Sequence, residues 1–324
     1  MEEGEDSRKW DELLPDALGL IFKNLSLYEV LTVVPRVCKS WGRAATGPYC
    51  WQEIDIEEWS RNRKPEVVDG MLRLLIARSC GSLRKLTVSG LSLDKTLLFI
   101  ADHGQSLRSL RLPRSEIHDA VVGKAAAMMC GLTFVDLSYC ISVGAEGLEA
   151  LGKNCKSLSS LRRIMHPLEV IEKLSQDDEA LAIASTMPKL KNLEIAYLLV
   201  DTASIVEILS NCKHLELLDV RGCWNVKLDE KFVKMFPKLK VVGPLVVDCY
   251  DMNGWDNCSD YSGSSGYLAW DFVAGDDDID DDDEEYGDML DDLWGDENLM
   301  DDVEMWFYDD VHAVDAGYDW PQSP

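Results

Sequence analysis

Between positions 83 and 242 one phrase recurs: leucine, two residues, a second aliphatic residue, one residue, a third aliphatic. It reads Leu83-x-x-Leu86-x-Val88, then Leu107-x-x-Leu110-x-Leu112, then Leu132-x-x-Val135-x-Leu137. Leu158-x-x-Leu161 is a less regular fourth, followed by Leu190-x-x-Leu193-x-Ile195, Leu215-x-x-Leu218-x-Val220 and Leu239-x-x-Val242. The first leucines are 24, 25, 26, 32, 25 and 24 residues apart. A unit of that length holds one short strand and one helix, and neither can bury its apolar side alone, so successive units must stack. The fold class that follows is α/β. Seven parallel strands about 4.8 Å apart form a sheet roughly 30 Å long, backed by helices.

The spacing matches a leucine-rich repeat over 82–247. Ala145 to Leu151 and Ser204 to Leu209 read as helical halves, and Val67 to Ile76 as the helical half that caps the first repeat. The polar stretch Trp59 to Pro65 reads as a short connector, which makes 57–81 a connector and capping helix. Cys80, Cys130, Cys155 and Cys212 stand just before the strand leucine, and Cys140 and Cys223 end strands. Recurrence at one repeat position means a shared interior environment, so packing explains these cysteines and reduced thiols are expected. The five histidines do not pair with them at metal-ligand spacing, and no metal or cofactor is expected. Curvature puts the sheet on the concave side of such a solenoid, where partners bind. Outward strand positions give the substrate-contact candidates Arg84, Arg108, Arg111, Tyr139, Tyr197 and Arg221, with Asp136, Glu194 and Asp219 beside them. The fourth repeat carries extra residues around Met165-His166-Pro167 and Gln176-Asp177-Asp178-Glu179, either an insertion on the binding face or an idle loop.

A different pattern precedes the repeats. Leu14-Pro15-Asp16 opens a helix, since proline is tolerated where the first-turn amide has no partner and aspartate complements the helix N-terminus. Leu18, Ile21, Phe22 and Leu25 then form one apolar face, Ser26 caps the segment Tyr28 to Val34, and Pro35 starts a third helix running through Trp41 and Ala45. Three short helices cannot bury all of this apolar surface, which argues for a partner. The order Leu14-Pro15, Ile21-Phe22, Val37-Cys38-x-x-Trp41 and Trp51 resembles the F-box, here over 10–56. The resemblance extends across 10–247 and is closest to plant F-box proteins with leucine-rich repeats. In that family the module docks on a Skp-type adaptor, and through it a cullin. Carried over, the adaptor-binding residues are Leu14, Pro15, Leu18, Ile21, Phe22, Val37, Cys38 and Trp41.

The chain has 324 residues and a formal charge of −27, but the excess sits in one place. From Asp248 to Pro324 there are 26 Asp and Glu and no Lys or Arg, which leaves 33 acidic and 32 basic residues elsewhere. A balanced body argues against a nucleic-acid-binding face, and the acidic tail against anionic membranes. No apolar run is long enough to span a bilayer, and the acidic start is not a secretory signal. Nucleus and cytoplasm both remain open as compartments. Asp276 to Glu285 holds nine acidic residues in ten, so the region 248–324 reads as largely disordered. Yet it carries 13 of the chain's 27 aromatic residues. Three readings stand. The tail solubilises, its first part packing as the last cap; or it docks basic partners. In the third, Gly254-Trp255 and Trp294-Gly295 resemble hooks that engage Argonaute pockets, which would make Trp255 and Trp294 contacts to an Argonaute-like partner. No nucleophile-base pair or phosphate-cradling loop is present, so the expected role is a non-catalytic substrate receptor of a Skp–cullin–F-box ubiquitin ligase. The alternatives are a non-degradative adaptor-binding scaffold and an acidic transcriptional co-regulator.

Overall fold

The computed structural model describes residues 10–166, 175–228 and 230–243. Trp255 and Trp294, and with them the readings of the tail, lie outside the described residues.

The amino-terminal module is helical. Helix α1 (Pro15–Phe22) has Leu14 as its N-cap residue and Pro15 in its first turn. The next segment is entered through a reciprocal pair: Ser26 N donates to Glu29 Oε2 at 2.8 Å, and Glu29 N donates to Ser26 Oγ at 3.2 Å. This capping box satisfies two otherwise orphaned amides and holds the Glu29 carboxyl below its usual pKa. Glu29–Val33 is wound as a π-helix, which leads into α2 (Val34–Val37), with Pro35 in its first turn. The sequence predicts one helix from Pro35 through Trp41. The chain instead breaks at Cys38, whose backbone is extended (φ −162°, ψ 165°), and restarts as α3 (Lys39–Thr46). Leu18, Phe22, Leu31, Val34, Ala44 and Ala45 form the module's buried core.

The remaining described residues form one parallel sheet of eight strands in sequential order, with the helices between them. Seven follow the leucine phrase: β2 (Lys85–Thr87), β3 (Ser109–Arg111), β4 (Phe134–Asp136), β5 (Ser160–Arg162), β6 (Asn192–Glu194), β7 (Leu217–Asp219) and β8 (Lys240–Val242). The eighth, β1 (Glu53–Asp55), precedes them in the stretch expected to close the helical module. It pairs with β2 in the register Ile54 to Leu86, so Trp51-x-x-Ile54-x-Ile56 is the same phrase with tryptophan in the leading place. The central residues Leu86, Leu110, Val135, Leu161, Leu193 and Leu218 stack in register and are buried, each contributing roughly 1.5–3 kcal/mol of transfer free energy. Helices α5 (Pro65–Arg78), α6 (Asp94–His103), α7 (Asp119–Met128), α8 (Ala145–Asn154), α9 (Asp177–Thr186) and α10 (Thr202–Asn211) return the chain between strands. Short helices α4 (Glu57–Ser60) and α11 (Glu230–Val233) are the others among the described residues of this region. Glu179, expected in a surface insertion, belongs to α9 and is buried.

Four of the six recurring cysteines tie their repeat to the one before, while Cys80 and Cys130, expected in the same interior environment, are exposed. Cys140 Sγ donates to Leu112 O at 3.1 Å, and Cys223 Sγ to Ile195 O at 3.2 Å. Cys155 and Cys212 do the same to Met129 O and Met187 O at 3.5 and 3.4 Å. All four are free thiols.

Module and solenoid join without a spacer. Trp51 Nε1 donates to Ala45 O at 2.7 Å, Cys50 Sγ donates to Ala44 O at 3.2 Å, and the Arg78 guanidinium from α5 lies 5.9 Å from the Trp51 ring. Lys23 pairs with Glu53 at 3.6 Å, which bridges the end of α1 to β1. At Gly19 a Cβ would stand 2.7 Å from Tyr49 Cβ, so α1 meets the loop before β1 only because residue 19 has no side chain.

Candidate protein-binding faces

The helical module exposes several large apolar side chains. Leu14 is 68% exposed, Val37 55% and Ile21 41%, and Leu20 and Val33 are exposed as well. Leu14 and Ile21 are seven residues apart, two turns of α1, so they fall on the same side. Val37 stands at the break before α3, and Pro15 is exposed beside Leu14. Cys38 and Trp41 are half-buried, with the Trp41 ring 5.3 Å from Phe22 and its Nε1 donating to Trp10 O at 3.2 Å. Leu18 and Phe22, expected at the adaptor face, are 0% and 1% exposed. They are enclosed in the module's own core. Leu20 and Val33 were not singled out in the sequence. Their exposure depends on the π-wound turn and on the face α1 turns inward, which periodicity alone does not specify.

On the open face of the sheet the strand residues Arg111, Asp136, Arg162 and Glu194 stand in register, and their charges alternate. Arg111 Nε lies 3.2 Å and Arg162 Nη1 3.9 Å from Asp136 Oδ2, and Arg162 Nε lies 2.8 Å from Glu194. Glu57 of α4 closes the near end on Arg111 at 3.5 Å. Burial pulls the Arg111 pKa down, but the Asp136 and Glu57 carboxylates outweigh it and leave it raised. Arg221 likewise closes on Asp219, with Nη2 to Oδ2 at 2.6 Å. Arg111 and Arg221, expected as substrate contacts, are therefore already neutralised from within.

The other expected contacts divide between the two edges of the sheet. Arg84 and Arg108 are exposed where the strands begin, with Arg108 N donating to Arg84 O at 2.8 Å. Tyr139 and Tyr197 follow the strands at the opposite edge. Both have left-handed backbones, φ +62° and +63°, at the repeat position where Gly90 and Gly222 have φ +70° and +69°. Arg114, at the same position with φ +57°, places its guanidinium 5.6 Å from the Tyr139 ring centre. An L-residue there costs roughly 1–2 kcal/mol that glycine avoids. Among the described residues, no group of three or more His, Cys, Asp and Glu side chains is placed to hold a metal ion, and no helix is long and apolar enough to cross a membrane.

The chain is 58% identical over 277 residues to the F-box protein FBW2 of Arabidopsis thaliana, an alignment covering 84% of this chain and 87% of that protein. It belongs to the F-box proteins. A second relative from the same plant, F-box protein SKIP19, is 35% identical over 245 residues, covering 75% of this chain and 78% of that protein. The putative F-box/LRR-repeat protein 23 is 32% identical over 225 residues, 68% of this chain and 49% of that protein. No protein-family model matches the chain. In this F-box protein the helical module and the leucine-rich repeats are thus two faces on one body: an apolar face at the amino-terminal end, and a charge-balanced sheet behind it.

Proposed function

We propose that this F-box protein is the substrate receptor of a Skp–cullin–F-box ubiquitin ligase. The module grips a Skp-type adaptor, and through it a cullin. The solenoid holds the protein to be ubiquitinated, and the transfer chemistry belongs to other subunits. One observation carries the reading: Leu14, Ile21 and Val37 are exposed although the module already has a closed core. Exposed apolar groups clustered on a small module mark an interaction site, and a few such anchors dominate an interface. The direct joint through Trp51 and β1 supports it further, since a receptor must hold its cargo at a fixed distance from the transfer enzyme.

The test is capture of the full chain by a purified Skp-type adaptor, compared with a Leu14→Ala, Pro15→Ala double variant. The expected result is capture of the native chain and its loss in the variant. Equal capture of both would overturn the adaptor assignment. Blocking cullin activity should then cause the bound protein target to accumulate, and an unchanged target level would favour a scaffold.

A further inference from the structure

At the first place of each later strand the backbone amide donates to the strand before it. Lys85 N donates to Gln52 O at 3.2 Å, Ser109 N to Arg84 O at 3.0 Å, Phe134 N to Arg108 O at 3.1 Å and Leu217 N to Lys191 O at 2.9 Å. Glu53 holds that place in β1, opposite Lys85, and β1 is the first strand of the sheet. Among the described residues the Glu53 amide has no hydrogen-bond partner. Gln52 O accepts from Arg84 N at 2.7 Å and Ile56 N donates to Thr87 O at 2.9 Å, so residues 52, 54 and 56 face β2. Glu53 and Asp55, between them, turn their backbone groups to the free edge.

A row of unpaired N–H and C=O groups is a template for another strand. There is also room for one. A concavity of about 250 Å³ lies between the helical module and β1, lined by Phe22, Leu25, Leu27, Val30, Trp51 and Ile54. That is several times the ~30 Å³ share of one water. Lys23, Glu53, Asp55 and Lys85 stand around it, two charges of each sign. No net charge selects an ion here, so what a ligand can use is the apolar lining and the backbone edge.

The rest of the sheet shows what fits. Its strands are each three residues long, so three residues suffice to extend it. A strand laid about 4.8 Å outside β1 would set its central side chain in the column of Ile54 and Leu86, over the apolar lining, and its two flanking side chains on the open face. The required segment is an aliphatic residue between two polar ones.

The surroundings select the chain that supplies it. Leu25 is exposed, four residues after Ile21, and the bond from Leu25 N to Phe22 O at 3.0 Å carries α1 one turn further. The exposed apolar side that begins at Leu14 and Ile21 therefore runs to the rim of the concavity. A second copy of this chain fits poorly, because two β1 strands joined edge to edge would bring Glu53 and Asp55 of both copies together, and like charges across a strand pair are destabilising.

We propose that the free edge of β1 takes up an extended segment of the Skp-type adaptor as a ninth strand, with its backbone on Glu53 and Asp55 and its central aliphatic side chain in the concavity. This rests on the adaptor reading of the module given above. The adaptor is then held twice, by apolar anchors on the module and by backbone bonds on the sheet, and the second grip fixes the solenoid directly to it.

The experiment is amide hydrogen exchange of the full chain with and without a purified Skp-type adaptor, together with adaptor titration of two variants. The Glu53 and Asp55 amides should exchange rapidly in the free chain and become protected in the complex. Asp55→Pro removes an outward amide, which a sheet edge tolerates. It should weaken adaptor binding about tenfold, the worth of one or two ladder bonds, with thermal unfolding unchanged. Leu25→Asp puts a charge at the concavity without touching the backbone of the edge, and should weaken binding to the same degree. Unchanged exchange of both amides in the complex, or native affinity in both variants, would overturn the proposal while the Leu14→Ala, Pro15→Ala variant still loses the adaptor. If that double variant also keeps native affinity, the adaptor reading itself fails. Protection of the two amides that grows with the concentration of the chain alone would assign the edge to a second copy and overturn the adaptor as occupant.

Discussion

Arg163 is fully buried, and its Nε lies 3.0 Å from the Glu179 carboxylate of α9. It stands at the third place of the leucine phrase, where the other repeats put Val88, Leu112, Leu137, Ile195 and Val220. Its guanidinium also donates to Leu137 O, Cys140 O and Val143 O at 3.2, 2.9 and 2.6 Å. Gln176 Nε2 donates to Glu179 at 2.9 Å, and Leu199 N donates to Gln176 Oε1 at 3.1 Å. One buried pair therefore ties the fourth repeat to the turns on both sides of it.

Glu179→Ala leaves that guanidinium buried without its counter-charge, and should lower the unfolding free energy by about 3–5 kcal/mol. Adding Arg163→Leu should recover a large part of the loss, because an apolar residue there restores the phrase the other repeats use. Urea unfolding of the single and double variants measures both. A double variant as unstable as Glu179→Ala would show that the three carbonyl bonds, not the ion pair, are what the site needs.

At Gly222 two constraints coincide. Its φ is +69°, and a Cβ would collide with the Tyr197 ring. Gly222→Ala should therefore cost about 1–3 kcal/mol, the range for inserting a methyl into filled space. Placing it in a Tyr197→Ala background should remove the collision and leave only the left-handed backbone cost of ~1 kcal/mol. Thermal unfolding of the cycle separates the two terms.

Buried thiols make alkaline stability testable. Burial pushes Cys155, Cys212 and Cys223 up to about 11 from an ordinary value of 9.0, and Cys50 likewise. Above pH 9 the unfolded chain releases protons that the folded chain retains, so stability should fall as pH rises from 9 toward 11. Burial lowers Arg78 to about 10, which acts in the opposite direction from that pH upward. Alkylation at neutral pH should label the exposed Cys80 and Cys130 first and spare these four. Rapid labelling of Cys155 or Cys212 in the native chain would contradict the packing described for them.

The repeats were legible because the leucine phrase marks strand centres directly, and β2 to β8 fall on it. The first strand escaped because Trp51 replaces the leading leucine, and the same residues also fit the end of the helical module. Arg163 escaped for another reason. A buried arginine is intelligible only with Glu179, sixteen residues later in sequence and across a helix start, and no local pattern joins them. In the helical module the motif positions were readable but their direction was not. Spacing of three and four marks an apolar stripe without saying which part of it the module's own helices cover, so Leu18 and Phe22 were grouped with Leu14 and Ile21.

That division gives the last prediction. Leu18 is enclosed by the module's core, while Val37 and Leu14 face solvent. Leu18→Ala should cost about 2–5 kcal/mol of stability, the range for a buried leucine left as a cavity. Val37→Ala and Leu14→Ala should leave unfolding within ~0.5 kcal/mol of the native chain. Each should weaken capture by a Skp-type adaptor by about tenfold or more, the equivalent of 1.4 kcal/mol. Calorimetric unfolding and adaptor titration on the same three variants would separate the residues that build the module from those that face its partner. Loss of stability without loss of affinity in Val37→Ala would reverse the assignment of that residue.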